Sequence, residues 1–145
     1  TYVLYGGTAL RAQRTIDLAS TALAVTIIDG VDPEDHCGAT VRGFDVDRDG
    51  ADDLLIGAGV NRLSSSIDDS GESGAHGFAG GDGPANERDN AGEAYVVFGA
   101  RGSRPARIDL RTPPASTAVV YGVDPGDTWG EELNAGDFDG DGMID

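Results

Sequence analysis

Residues 30–53 and 122–145 are one segment written twice, 92 positions apart and without a gap. Eleven of the 24 positions are identical: Gly30, Val31, Asp32, Pro33, Asp35, Gly38, Asp45, Asp47, Asp49, Gly50 and Asp53. Chance does not produce that agreement. A segment that recurs along a chain constrains the fold more than any composition does. Each copy folds as one supersecondary unit, and each buries its apolar face against the next. The match extends further upstream. Residues 2–6 (YVLYG) resemble 95–99 (YVVFG), and Ile16-Asp17-Leu18 resembles Ile108-Asp109-Leu110.

Within one period the apolar runs are short and rich in β-branched and aromatic residues. They cover 40–44, 53–58, 93–99 and 117–122, with turn residues between them. Runs of that length and type predict strands, and four in a row predict a four-stranded antiparallel meander. A single meander is too small to bury its own face. Arranged around an axis, such units form a β-propeller. The expected class is therefore all-β, consistent with 23 glycines in 145 residues. Residues 8–24 have room for one short helical turn. A propeller unit usually takes about 40–50 residues, so a period of 92 carries an insertion. Residues 61–90, rich in Gly, Ser, Asp and Asn, supply it as a long mobile loop between the second and third strands.

The segment 45–53 reads DVDRDGADD, and 137–145 reads DFDGDGMID. Hard divalent cations such as calcium take 6–8 oxygen ligands, and an alternating acidic loop offers them. Asp45, Asp47 and Asp49 stand at positions 1, 3 and 5, with Asp137, Asp139 and Asp141 at the same places in the second copy. Gly50 and Gly142 permit the sharp turn. By analogy with other calcium loops, the backbone carbonyls of Ala51 and Met143 serve at position 7, and Asp53 and Asp145 close the sites at position 9. An EF-hand is excluded. Its twelfth position needs a glutamate, and here Ile56 stands there, inside an apolar run that reads as a strand. The ion expected is Ca2+ in a structural role, since Mg2+ holds its waters and avoids such protein cages. The second site is expected to be the weaker, because no strand follows Asp145.

Ten arginines and no lysine face 26 acids, for a net charge of −16. Nucleic acid is not an expected partner, because binding it needs clustered positive charge. One cysteine, Cys37, allows no internal disulfide. No apolar run is long enough to cross a membrane as a helix. The chain begins at Thr1 without a signal peptide and stops inside the second acidic loop, and is read as part of a longer protein. Catalysis finds little support. His36 and Cys37 are adjacent, so on extended chain they point to opposite faces and form no nucleophile–base pair. Cys37 aligns with Trp129, which argues for packing, and His36 aligns with Thr128 as a surface position. His76 lies in the insert. Tyr95, Phe98, Tyr121 and Phe138 are expected to pack rather than to stack on a ligand.

The order of these pieces resembles a known family. A glycine-led strand precedes the aspartate loop, Asp53-Leu54-Leu55-Ile56-Gly57-Ala58-Gly59 follows it, and Gly92-Glu93-Ala94-Tyr95-Val96-Val97-Phe98-Gly99 comes after the insert. This is similar to the FG-GAP repeat of the integrin α-subunit propeller and its bacterial relatives, over nearly the whole chain except the insert. Cys37-Gly38 and Trp129-Gly130 stand where the family has Phe-Gly, and Gly59 replaces its proline. The resemblance implies a seven-bladed propeller whose calcium loops join the first and second strands of a blade. The chain would then hold the last two strands of one blade (1–29), a full blade (30–122) and the start of a third (123–145). The rest of the propeller would lie in the full-length protein. It implies an extracellular or cell-surface module for adhesion or ligand binding, not an enzyme, with a protein or glycan as partner. That partner would be met on residues 30–37 and 61–90, opposite the metal. The competing reading is a non-catalytic propeller part of a secreted hydrolase or lyase.

Overall fold

The structure is a computed structural model in which residues 1–19, 22–33, 35–60 and 79–145 are described. Among the described residues it is all-β with one four-residue α-helix, and the strands form two sheets. The larger sheet contains β3 (Thr40–Phe44), β4 (Asp53–Val60), β6 (Glu93–Val97) and β8 (Thr117–Tyr121), paired in chain order with every neighbour antiparallel. The four runs picked out by composition thus form the expected meander. The strand after the acidic loop runs two residues past Ala58, because β5 (Ala79–Gly80) pairs with Gly59 and Val60. The smaller sheet places β2 (Val25–Asp29) between β1 (Tyr2–Leu4), antiparallel, and β7 (Arg107–Asp109), parallel. The helical turn, α1, is Thr8–Arg11.

The internal repeat is visible as register. In the smaller sheet Tyr2, Val3 and Leu4 face Ile27, Thr26 and Val25. In the larger sheet Tyr95, Val96 and Val97 face Val119, Ala118 and Thr117. Corresponding residues meet corresponding residues, so the pair β1–β2 restates the pair β6–β8. Backbone exceptions repeat as well. His36 and Thr128 both take left-handed conformations (φ 52 and 53), although neither is glycine, and each is followed two residues later by a left-handed glycine, Gly38 or Gly130.

One core joins the two sheets. Ile28 of β2 and Leu110 after β7 pack with Ile56 and Ala58 of β4 and Tyr95 and Val97 of β6. Val3, Val31, Cys37, Leu54, Ile108 and Val119 border that cluster. Alternation puts Ile56 and Ala58 on one face of β4, as the pleat requires. The intervening glycines admit backbone instead of side chains. A Cβ on Gly57 would stand 1.9 Å from the carbonyl oxygen of Gly130, and one on Gly59 would stand 2.1 Å from that of Trp129. The start of the second repeat therefore lies directly on β4. The Thr40 hydroxyl donates to the Glu131 carbonyl at 2.5 Å in the same region.

Two expectations need correction. A structureless insert through residue 90 does not hold from residue 79 onward. Beyond β5, Pro84–Asn86 form a 3-10 turn, Asn86 Nδ2 donates to Asp32 Oδ2 at 2.9 Å, and the Arg88 guanidinium donates to the carbonyls of Gly122 and Val123. These contacts consume polar groups that a free loop would leave to water. Residues 61–78, including His76, lie outside the described residues. The packing role expected for the aromatics holds for Tyr95, which is buried, and fails for Phe138, which is 79% exposed.

Candidate metal centre

Each acidic nonapeptide is a connection between antiparallel backbone segments. In the first, Phe44 pairs with Asp53. In the second, Gly136 and Asp145 exchange both backbone hydrogen bonds, at 3.2 and 2.9 Å. The loops are folded by their own aspartates. Asp47 Oδ1 accepts from the Asp49 amide and Asp139 Oδ1 from the Asp141 amide, both at 3.0 Å. Asp49 Oδ1 accepts from Ala51 N, and Asp141 Oδ1 from Met143 N, both at 2.7 Å. Asp45 Oδ2 accepts from Gly50 N at 3.0 Å, and Asp137 Oδ2 from Gly142 N at 2.8 Å. Gly50 and Gly142 both stand at φ 83, the left-handed conformation that glycine enters at no steric cost.

Folding the loop this way gathers charge. Carboxylate oxygens of Asp45, Asp47 and Asp49 all lie within 4.8 Å of one another, and so do oxygens of Asp137, Asp139 and Asp145. Asp45 is half-buried, whereas all three residues of the second cluster are exposed. The loops differ at one bond. Asp137 Oδ1 accepts from Gly140 N at 2.7 Å. Its counterpart, Asp45 Oδ1, is buried and has no hydrogen-bond partner among the described residues. A carboxylate oxygen withdrawn from water and lacking a donor is costly unless a cation meets it. The first cluster therefore fits a hard divalent ion, with Asp45, Asp47 and Asp49 as carboxylate donors.

Asp53 sits differently. It is fully buried, and its two oxygens accept from Val46 N and Gly99 N, both at 2.8 Å. It thus clasps the loop to the end of β6. Each oxygen retains a second lone pair. Asp145 repeats half of this arrangement, accepting from Phe138 N at 2.8 Å through Oδ2, and joins the second cluster where Asp141 does not. The backbone of Ala51 and Met143 lies within the loops at the turn that follows each glycine.

Two arginines missed by the motif stand beside the loops. Arg101 Nε donates to the Asp49 carbonyl at 3.2 Å, and its guanidinium occupies the space a Cβ on Gly50 would need. The Arg48 guanidinium lies 3.1 Å from the position of a Cβ on Gly142, so it reaches from the first loop to the second. No signal in the sequence marks Arg101, which is 52 residues from its partner.

The opposite end of β4 carries a second polar cluster. Asp35 and Glu93 are both buried, and the Tyr95 hydroxyl donates to Glu93 Oε2. Burial, with Glu93, Asp32 and Asp82 nearby, pushes the Asp35 carboxyl up to about 6, though its bond from the Asp32 amide opposes the shift. Burial also raises Glu93, against the bond from Tyr95. Asp35 was legible as one of the repeated positions: Asp35 Oδ2 accepts from Asp32 N at 3.2 Å, and Asp127 Oδ2 accepts from Asp124 N at 2.9 Å. Glu93 carried no such mark. Burial of Cys37 raises its thiol to about 11, which leaves it protonated and poorly nucleophilic at neutral pH. His36 is exposed.

Among the described residues no helix is long and apolar enough to cross a membrane. Comparison of the chain with family models, with curated proteins and with solved structures finds no match.

Proposed function

We propose that the chain is a segment of a calcium-stabilised β-propeller of the FG-GAP type, a scaffold for adhesion or ligand binding outside the cell or at its surface, without chemistry of its own. The observation that carries the metal reading is Asp45 Oδ1, buried without a donor beside the carboxylates of Asp47 and Asp49. Calcium would meet Asp45, Asp47 and Asp49 there, with the Ala51 carbonyl and Asp53 completing the set. Asp137, Asp139, Asp141, Asp145 and the Met143 carbonyl would form the second, more exposed site. The ion neutralises mutual repulsion and holds two strands together. The four-stranded meander and the repeated register support the propeller reading, since the pair β1–β2 restates the pair β6–β8.

The first loop enters β4 at one end, at Asp53, and the insert leaves the other, after Val60. Residues 30–37 join the insert's end through Asn86 and Asp32. A protein or glycan partner would therefore meet a surface remote from the ion.

Thermal melting across a calcium titration tests this. At ten times its dissociation constant, an ion bound only to the folded state adds about 1.4 kcal/mol per site. The melting temperature should rise with calcium, fall on chelation, and rise less in the Asp47→Ala variant. A melting temperature indifferent to millimolar calcium would sink the reading.

A further inference from the structure

The end of β4 away from the acidic loops is built over two buried carboxyl groups. Asp35 is 7% exposed and Glu93 3% exposed, so both are already closed off by the residues around them. Glu93 lies beneath the segment 81–92. A Cβ on Gly81 would stand 2.4 Å from Glu93 Cγ, and the Gly83 amide donates to the Glu93 carboxylate. That segment is fastened on several sides. The Gly81 amide donates to the Ala58 carbonyl at 2.8 Å, and the Gly92 amide to the Gly81 carbonyl at 2.7 Å. The Asn90 amide donates to Asp82 Oδ1 at 2.8 Å, and the Asn86 side chain reaches Asp32. The second repeat leans on the segment in turn, since the amides of Gly126, Thr128 and Trp129 donate to the carbonyls of Asp89, Asn90 and Ala91. Yet the segment is held against a bias. Ala85, Asn86 and Asn90 are left-handed without being glycine (φ 55, 57 and 56), a conformation that persists only where surrounding contacts impose it.

The groups that face these two carboxyls offer no compensating charge. Asp32 comes from the turn before Asp35, Asp82 from the segment above, and β6 adds the Tyr95 hydroxyl. Cys37 adds a thiol, on which the Thr1 amino group also bears, and β8 sets Tyr121 opposite Glu93. Arg88 is the cation of the segment, but its guanidinium is spent on the carbonyls of Gly122 and Val123. Among the described residues none of the four acids has a cationic partner, the one ion pair being that of Arg107 with Asp29.

We propose that Asp35 and Glu93 form a proton-dependent latch: protonated, they hold residues 81–92 down on the sheet, and ionised, they loosen that segment together with the turns at 30–37 and 124–130. Two ionised carboxylates share a dry site poorly without a cation, and both regain water when the segment lifts. Burial places Asp35 at about 6, against 3.8 in water, so its hold is complete below pH 3.8 and is lost as pH rises through about 6. Glu93 moves in the same direction, and the two titrate as a pair. The left-handed residues favour the open form. The latch rests on neither a metal nor a closed propeller. Only its consequence rests on the function proposed above: the surface offered to a partner changes between mildly acidic and neutral solution.

Amide hydrogen exchange followed by NMR tests it, in chelator and without a partner, at pH 5, 6 and 7 and corrected for the intrinsic pH dependence of exchange. Protection of Gly81, Asn90 and Gly92 should fall about tenfold from pH 5 to pH 7 through Asp35 alone, and further with Glu93. Ile27 and Phe98, whose amides donate to the carbonyls of Ala106 and Ser116, should keep theirs. In Asp35→Asn the fall should shrink, and in the double variant Asp35→Asn, Glu93→Gln it should disappear. The new side-chain oxygens still accept from Asp32, Gly83 and Tyr95 but carry no charge. Protection of the segment that is level with pH overturns the proposal. So does a fall shared equally by Ile27 and Phe98, which would mean global unfolding, or a fall that survives in the folded double variant. The first two of these outcomes need only the unaltered chain, so the test stands even where a variant does not fold.

Discussion

Asp35 shows what a single residue carries in this fold. It is 7% exposed, and burial lifts its carboxyl from the ordinary 3.8 to about 6. A raised acid binds its proton more tightly in the folded state than in the unfolded one. Stability from this group is therefore greatest below pH 3.8, declines as pH rises through the window from 3.8 to about 6, and is level above it. Asp35→Asn keeps an acceptor for the Asp32 amide and removes the charge. The variant should be more stable than the parent at pH 7, by about 1–3 kcal/mol, and the advantage should vanish near pH 4. Urea denaturation of both proteins at a series of pH values checks this. Glu93 shifts in the same direction, so the parent keeps some pH dependence after the substitution.

At the scale of the element, the acidic loop separates into two functions. Asp45, Asp47 and Asp49 face one another, while Asp53 faces two backbone amides. Removing Asp53 leaves the Val46 and Gly99 N–H groups without their acceptor in a buried place. Asp53→Ala should cost about 2–5 kcal/mol in chelator, and more in calcium, because the variant also loses a proposed ligand of the ion. Asp47→Ala, by contrast, should cost little in chelator and lose only the calcium increment. Paired denaturation curves with and without calcium distinguish the two. If Asp53→Ala were harmless in chelator, the clasp between the loop and β6 would have no structural weight.

The whole molecule places the two ends of its larger sheet to different uses. The acidic loops gather at one end, with Arg48 between them, and the insert and the repeated turns gather at the other. Val60 and Ala79 are direct partners across β4 and β5, so residues 61–78 are closed by a pair that a two-residue turn can join. Replacing 61–78 with Asn-Gly should leave calcium affinity unchanged by calorimetry. Under the proposed function it should abolish binding to any partner that uses the insert. A lost calcium site would show that the two ends are coupled.

Much of this was readable before any coordinates. The four strand runs, the short helical turn and the acidic loops follow from local chemistry: β-branched residues, turn residues, and carboxylates at alternate positions. The repeat added the equivalence of distant segments, and hence the likeness of Asp35 to Asp127 and of Cys37 to Trp129. Other features depend on residues far apart in the chain meeting in space. The parallel seat of β7 on β2 lies 80 residues away in sequence, and a strand run does not state its neighbour. Arg101 reaches Asp49 across 52 residues, and Asp53 turns Oδ1 to Gly99 N across 46. The glycines of β4 gave no hint that the backbone of residues 128–130 would lie against them. Sequence alone therefore determined the four strands of the larger sheet, the repeated segments and where the negative charge lies, but not the short strands β5 and β7. Tertiary structure decided which edge is covered, which carboxylate is left dry and which is spent as a brace, because those outcomes are set by packing between elements and not by propensity within them.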